Sequence, residues 1–379
     1  MTTPTPRETL RTDNPPPVDL RLRSLDALRG FDMFWIIGGE GIAQAAAALT
    51  GWAWLVWLSG QLEHPKWHGF AFYDLIFPLF IFMAGVSMPF SYEKRLERGD
   101  SKSQLYRHAI VRGLTLVLLG MIYNGLLKFE WATMRYPSVL GRIGLATLFA
   151  AIIFLNTGIR GRFLSIAGLL VGYWAALKFI PVPGFGAGDL SPGHTLADYV
   201  DRQLLPGRLY EGDRDPEGLL STIPAIGTAL AGTLAGQLLK SARYGGYLKT
   251  MVLAATGLVC LGLAYLWNFE FPINKNLWTS SFVLHCAGWS LLFLALFYVV
   301  IDVWRFQAWA FFFIVIGSNS ILVYMAEKFF DSRYAAHFFF DGGLKHTGSY
   351  QPLLWAIAVV LVQWLVLLLL YKKRIFLRV

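Results

Sequence analysis

Apolar runs of roughly twenty residues recur along the chain, separated by short polar stretches. A helix rising ~1.5 Å per residue needs about 20 residues to cross a hydrocarbon core. Runs of that length fall near 27–48, 70–91, 110–128, 138–156, 162–181, 218–239, 248–267, 279–302, 308–327 and 351–371, which predicts ten membrane-spanning helices. "GWAWLVWLSGQL" (51–62) is apolar and tryptophan-rich but too short to cross, so it is expected to lie flat at the interface. Pro78 and Pro224 fall inside runs and predict kinks. No internal repeat is clear enough to suggest the inverted symmetry of a secondary transporter.

Composition strengthens this picture. Of 379 residues, 55% are hydrophobic, 16% aromatic and only 15% charged, against about 25% charged in a soluble domain. The chain is expected to be an all-α polytopic membrane protein, which excludes a soluble globular one. The net charge of +9 does not mark a nucleic-acid binder, because the basic residues sit in short loops between apolar runs and form no single patch. About twenty of them share one face, including Arg7, Arg11, Arg21, Arg23, Lys94, Arg112, Arg162, Lys240, Arg305, Lys372 and Arg378; about ten occupy the other. By the positive-inside rule both termini are then cytoplasmic. Residues 1–20 read as a disordered cytoplasmic tail and 21–379 as one transmembrane domain. The stretch 62–74 and the connections 182–217, 268–278 and 328–350 are placed on the outer face. Cys260 and Cys286 lie within apolar runs and read as packing residues without a disulfide.

Ionisable residues at membrane depth are costly, so Arg29, Asp32, Glu40, Asp74, Arg142 and His285 draw attention. Each also has a bland reading as a structural pair or a snorkelling side chain, and His285 reads best as a packed histidine. "LEHPKWHGFAFYD" (62–74) sets His64 ten residues before Asp74. A carboxylate reaching the imidazole fixes its tautomer and raises its basicity, which suits a general base. Spacing alone leaves His68 as a rival. The acids Asp215 and Glu217 also suit a helix N-terminus. No cluster has metal-ligand spacing, and no glycine-rich phosphate loop follows a strand.

Several stretches together carry a resemblance. They are "RLRSLDALRG" (21–30), "HPKWHGFAFYDLIFPLFIFMAGVSM" (64–88), "RYPSVLGRIGLATLF" (135–149), "DPEGLLSTIPAIGTALAGTLAGQLL" (215–239), "INKNLWTSSFVL" (273–284) and "GSNSILVYMAEKFF" (317–330). In kind and order they resemble the transmembrane heparan-α-glucosaminide N-acetyltransferases and their bacterial relatives, the glucosamine N-acetyltransferases. The resemblance implies transfer of acetyl from cytoplasmic acetyl-CoA to the 2-amino group of glucosamine or a terminal glucosaminide on the far side, without a metal. It further implies a homodimer, with a bacterial inner membrane as the setting. It assigns the catalytic histidine to His64 over His68, with Asp74 orienting it. Glu40 stands where the family often has asparagine, which leaves acceptor specificity open; a carboxylate there suits a cationic sugar or a partner such as Lys275.

Glu40, Asp215, Glu217, Asn274, Lys275, Asn276 and Trp278 are the expected sugar-binding residues, with hydrogen bonds for hydroxyls and a ring face for stacking. Arg29, Arg142, Asn319 and Lys372 are expected to hold the CoA, with Arg23 a further candidate for its phosphates and Asn276 or Arg142 an oxyanion donor. Direct transfer is preferred to an acetyl-histidine ping-pong route. The alternatives are acylation of another envelope glycan by that ping-pong route, and a transporter of an amino sugar or organic anion.

Overall fold

A computed structural model describes residues 22–377; the 1–20 tail, with Arg7, Arg11, Arg21 and Arg378, lies outside the described residues. The chain is all-α. Its helices are α1 (Arg23–Phe34), α2 (Glu40–Thr50), α3 (Ala53–Gln61), α4 (Ile76–Glu97), α5 (Lys102–Tyr123), α6 (Val139–Asn156), α7 (Ile159–Phe179) and α8 (Leu196–Leu204). They continue as α9 (Thr222–Lys240), α10 (Gly246–Asn268), α11 (Ser280–Phe297), α12 (Ala310–Gly317), α13 (Ser320–Phe329), α14 (Ser332–Leu344) and α15 (Gln351–Lys372).

Among the described residues, eight helical segments are long and apolar enough to cross a membrane, and nine if α12 and α13, bent by 68°, form one broken span. The protein is an integral membrane protein. The run expected at 27–48 falls on α1 and α2, which a π turn (Trp35–Gly39) interrupts, so it is not one of these nine. Gly38 permits the break, with φ 134° inside the turn. Pro78 and Pro224, expected inside their spans, lie near the helix starts. Pro224 is the third residue of α9, where a missing N–H costs little, and Pro78 falls where a 3-10 turn (Phe72–Leu75) passes into α4; the proline within the body of α4 is Pro89. The Trp-rich segment forms the short helix α3 with Trp52, Trp54 and Trp57 exposed. The 328–350 connection, read as a loop, contains α14.

Small residues let the central helices touch. A Cβ on Gly85 would lie 2.0 Å from the Ala229 carbonyl oxygen, and one on Gly232 would lie 2.1 Å from that of Phe82. Thus α4 and α9 meet backbone to backbone, the packing expected where lipid supplies no hydrophobic drive between helices. Gly30 and Gly317 make the equivalent seam between α1 and α12, at 1.7 Å from the Phe313 oxygen and 2.1 Å from the Asp26 oxygen.

Candidate active site

The site forms where two polar loops clasp at one end of the bundle. Gly69 N–H donates to the Ile273 carbonyl at 2.9 Å, and Asn274 Nδ2 donates to His68 Nδ1 at 3.3 Å. Asn274 is fully buried and shapes its own loop, its Oδ1 accepting from Leu277 N–H at 3.0 Å. This clasp brings Lys275 to His64.

His64 Nδ1 lies 2.6 Å from Asp74 Oδ1. Asp74 is 1% exposed, and its other oxygen accepts the Ala71 N–H at 3.0 Å, so the carboxylate cannot turn away. A carboxylate accepts only, so Nδ1 carries the proton and Nε2 presents its lone pair. Lys275 Nζ sits 3.0 Å from that Nε2 and 3.5 Å from Asp74 Oδ1. Burial pulls the Lys275 ammonium below its ordinary pKa, partly offset by Asp74. Tyr73 packs on the imidazole with ring centroids 5.1 Å apart.

His64, Tyr73, Glu217 and Lys275 line a cavity of about 230 Å³ that also reaches Asp32, Phe80 and Ser320. Its walls are mostly apolar, from Met33, Ile36, Phe77, Leu140 and Ile143. Of the residues expected from the sequence, the cavity therefore unites His64, Glu217 and Lys275, with Asp74 immediately behind. His68 lies outside its lining, and partial desolvation lowers its pKa.

Several expected ligands serve the protein itself. Trp278 is 1% exposed; Arg142 covers its ring at 4.9 Å and Phe77 abuts it edge-on, so no face is open for a sugar. Trp67, three residues after His64, is partly exposed and outside the cavity lining, with Nε1 on the Leu190 carbonyl at 2.9 Å and Arg214 at 5.2 Å from its ring. Sequence reading passed over Trp67 because nothing in its spacing separates it from an interface anchor. Asp215 is saturated: Arg135 Nε and Nη2 donate to it at 2.7 and 2.6 Å, and the N–H groups of Tyr210 and Glu217 at 3.1 and 3.0 Å. Arg135 also pairs with Glu217.

Arg142 is 2% exposed and outside the cavity lining, donating to Ser221 Oγ and, at 3.3 Å, to the Gly218 carbonyl. Glu40 accepts from Gln44 Nε2 at 3.0 Å and is not the partner of Lys275, which binds Asp74 and His64 instead. Asn276 is half-buried beside Lys275. Toward the opposite end, Arg29 donates to Ser87 Oγ at 3.0 Å. Asn319 straps the end of the chain, donating to the Ile375 carbonyl at 3.0 Å and accepting from Leu377 N–H at 2.9 Å, so its amide is committed within the fold. Lys372 is exposed at the end of α15.

The α8 helix covers the acidic stretch before α9. Asp201 is 1% exposed, its Oδ1 accepts Leu219 N–H at 2.8 Å, and burial raises its pKa from 3.8 to about 7. The folded state thus binds this proton more tightly than the unfolded chain. Its stabilisation is complete below about pH 4 and is lost as pH rises to about 7. The expected result is a higher melting temperature at pH 5 than at pH 8, with a smaller difference in Asp201→Asn; an equal difference in the variant would refute the assignment.

A family model described as a domain of unknown function (DUF5009) matches residues 21–125. Over 94% of its length the chain is 29% identical to the human (Homo sapiens) protein named heparan-alpha-glucosaminide N-acetyltransferase, covering 59% of that protein. Over 83% of its length it is 30% identical to the mouse (Mus musculus) protein of the same name, covering 56% of it. The chain thus spans somewhat more than half the length of these relatives. The comparisons agree with the resemblance carried by the motifs: along most of its length this chain is similar to the proteins named heparan-alpha-glucosaminide N-acetyltransferase.

Proposed function

We propose that the protein transfers acetyl from acetyl-CoA to the amino group of glucosamine or a terminal glucosaminide, with the donor reaching the cavity from the cytoplasm and the sugar from the outer face. The observation that carries this reading is the His64–Asp74 pair, with Lys275 on the free imidazole nitrogen, at the mouth of an apolar cavity leading into the bundle. Such a cavity suits a slender arm bearing a thioester and keeps water from it.

His64 Nε2 takes the proton of the attacking amine as nitrogen bonds to the thioester carbon. Asp74 holds the imidazole in the required tautomer and offsets the positive charge that develops on it. Lys275, within 3.0 Å of Nε2, donates to the oxyanion of the tetrahedral intermediate, which then expels the CoA thiolate. Glu217 is the carboxylate facing the sugar's ammonium. Arg29 and Lys372 are the cations on the side where the CoA phosphates arrive. The sugar hydroxyls meet the loop around Trp67. The excess of basic residues on the opposite face supports an exterior position for this end of the bundle, in the bacterial inner membrane that the resemblance implies.

Purified protein given radiolabelled acetyl-CoA and glucosamine is expected to yield labelled N-acetylglucosamine. With sugar omitted, labelled CoA is expected not to exchange into acetyl-CoA, because direct transfer forms no acetyl-enzyme. Rapid exchange would replace direct transfer by an acetyl-histidine route. No labelled product on any amino sugar would remove the whole reading.

A further inference from the structure

Asp32 is 1% exposed, and neither of its carboxylate oxygens has a hydrogen-bond partner. A carboxyl taken out of water without a donor is costly and marks either strain or a missing ligand. The nearest cation, Arg29, lies one turn away and is directed at Ser87 and Asp26. Asp32 lines the same cavity as His64, together with Ser320. Ser320 opens α13, and no side chain caps that helix's first N–H groups because the Asn319 amide is used on the C-terminal segment. An acceptor and donors therefore line the same cavity as the base.

The depth is set by the neighbouring helices. Trp35 meets Phe72 and Arg29 meets Ser87, so α1 runs antiparallel to α4. With ~1.5 Å of rise per residue, Asp32 lies three residues, roughly 5 Å, below Trp35 along α1. In an extended pantetheine arm the two amide nitrogens lie roughly 4 Å and 9 Å from the thioester sulfur, by summed bond lengths. We propose that Asp32 is the seat of the pantetheine arm, its carboxyl accepting an N–H or O–H of the arm while Ser320 and the start of α13 donate to an amide carbonyl. This rests on the acetyl-CoA reading above and adds to it a residue that anchors the donor.

The test is binding, measured on the full-length protein with CoA and, separately, with adenosine 3′-phosphate 5′-diphosphate, which carries the headgroup without the arm. In Asp32→Ala, CoA affinity is expected to fall about ten- to hundredfold, the loss of a hydrogen bond to a charged group, while headgroup affinity is unchanged. Without ligand the variant is expected to melt no lower than wild type, because an unpartnered carboxyl has been removed. Unchanged CoA affinity, an equal loss for both probes, or a lower unliganded melting temperature each overturns the assignment. Should Asp32→Ala fail to fold, the near-isosteric Asp32→Asn is expected to weaken CoA severalfold, and unchanged affinity there is equally decisive. Wild-type protein that binds no CoA refutes the acetyl-CoA reading and the subsite together. Wild-type binding with undiminished binding by the variants refutes the subsite alone.

Discussion

His64→Ala is expected to lower the rate of acetyl transfer by about 10²–10⁴-fold, the contribution typical of a positioned general base. Folding should be nearly unaffected. The His64 side chain is 46% exposed, and its removal leaves Asp74 paired with Lys275 at 3.5 Å, so no buried charge is abandoned. Initial rates with labelled acetyl-CoA, beside melting curves, separate the two effects. A variant within threefold of wild-type activity removes His64 from the mechanism. Asp74→Asn should also lose activity, since an amide can offer an N–H to Nδ1 and thereby favour the tautomer whose Nε2 is protonated.

Arg135→Ala is the substitution expected to harm the fold most. Its guanidinium spans Asp215 and Glu217 while stacking 4.6 Å from the Tyr210 ring, and its own side chain is only 14% exposed. Removing it leaves two neighbouring carboxylates, 0% and 10% exposed, without their cation. Breaking a buried pair from one side costs about 3–5 kcal/mol. The melting temperature should fall accordingly, and neutralising both acids alongside, as Asp215→Asn with Glu217→Gln, should restore much of it. Activity should not return with stability, because Glu217 faces the cavity. A single variant as stable as wild type would show that the network carries no load.

The alternation of apolar runs made most of the helices legible, because length and hydropathy are local properties of the sequence. The break at Gly38 and the bend between α12 and α13 were not, since both depend on close packing that only neighbouring helices reveal. The prolines read as interior for a related reason: Pro78 and Pro224 are the third residues of α4 and α9, and periodicity does not fix helix starts that finely.

At the site, residue types announced a base and a carboxylate, but pairing was a matter of three dimensions. Lys275 looked like a sugar ligand or a partner for Glu40; the clasp between Gly69 and Ile273 carries it to His64 instead. Trp278 looked like a stacking platform in a polar stretch, yet the fold turns it inward beneath Arg142. Asp32 stood out by its depth alone, and only the lack of a hydrogen-bond partner gave it a role to test.

The glycine seam between α4 and α9 bears on how the protein can be handled. The turn leading into α4 carries Asp74, and Glu217 lies just before α9, so the spacing of these acids follows from main-chain contact at Gly85 and Gly232. Long side chains can slide and repack when a bilayer is thinned or replaced by detergent, whereas touching backbones have no slack to take up. The reacting groups are therefore insulated from their host, and differences in turnover between micelles, nanodiscs and bilayers of different thickness report how substrates reach the cavity.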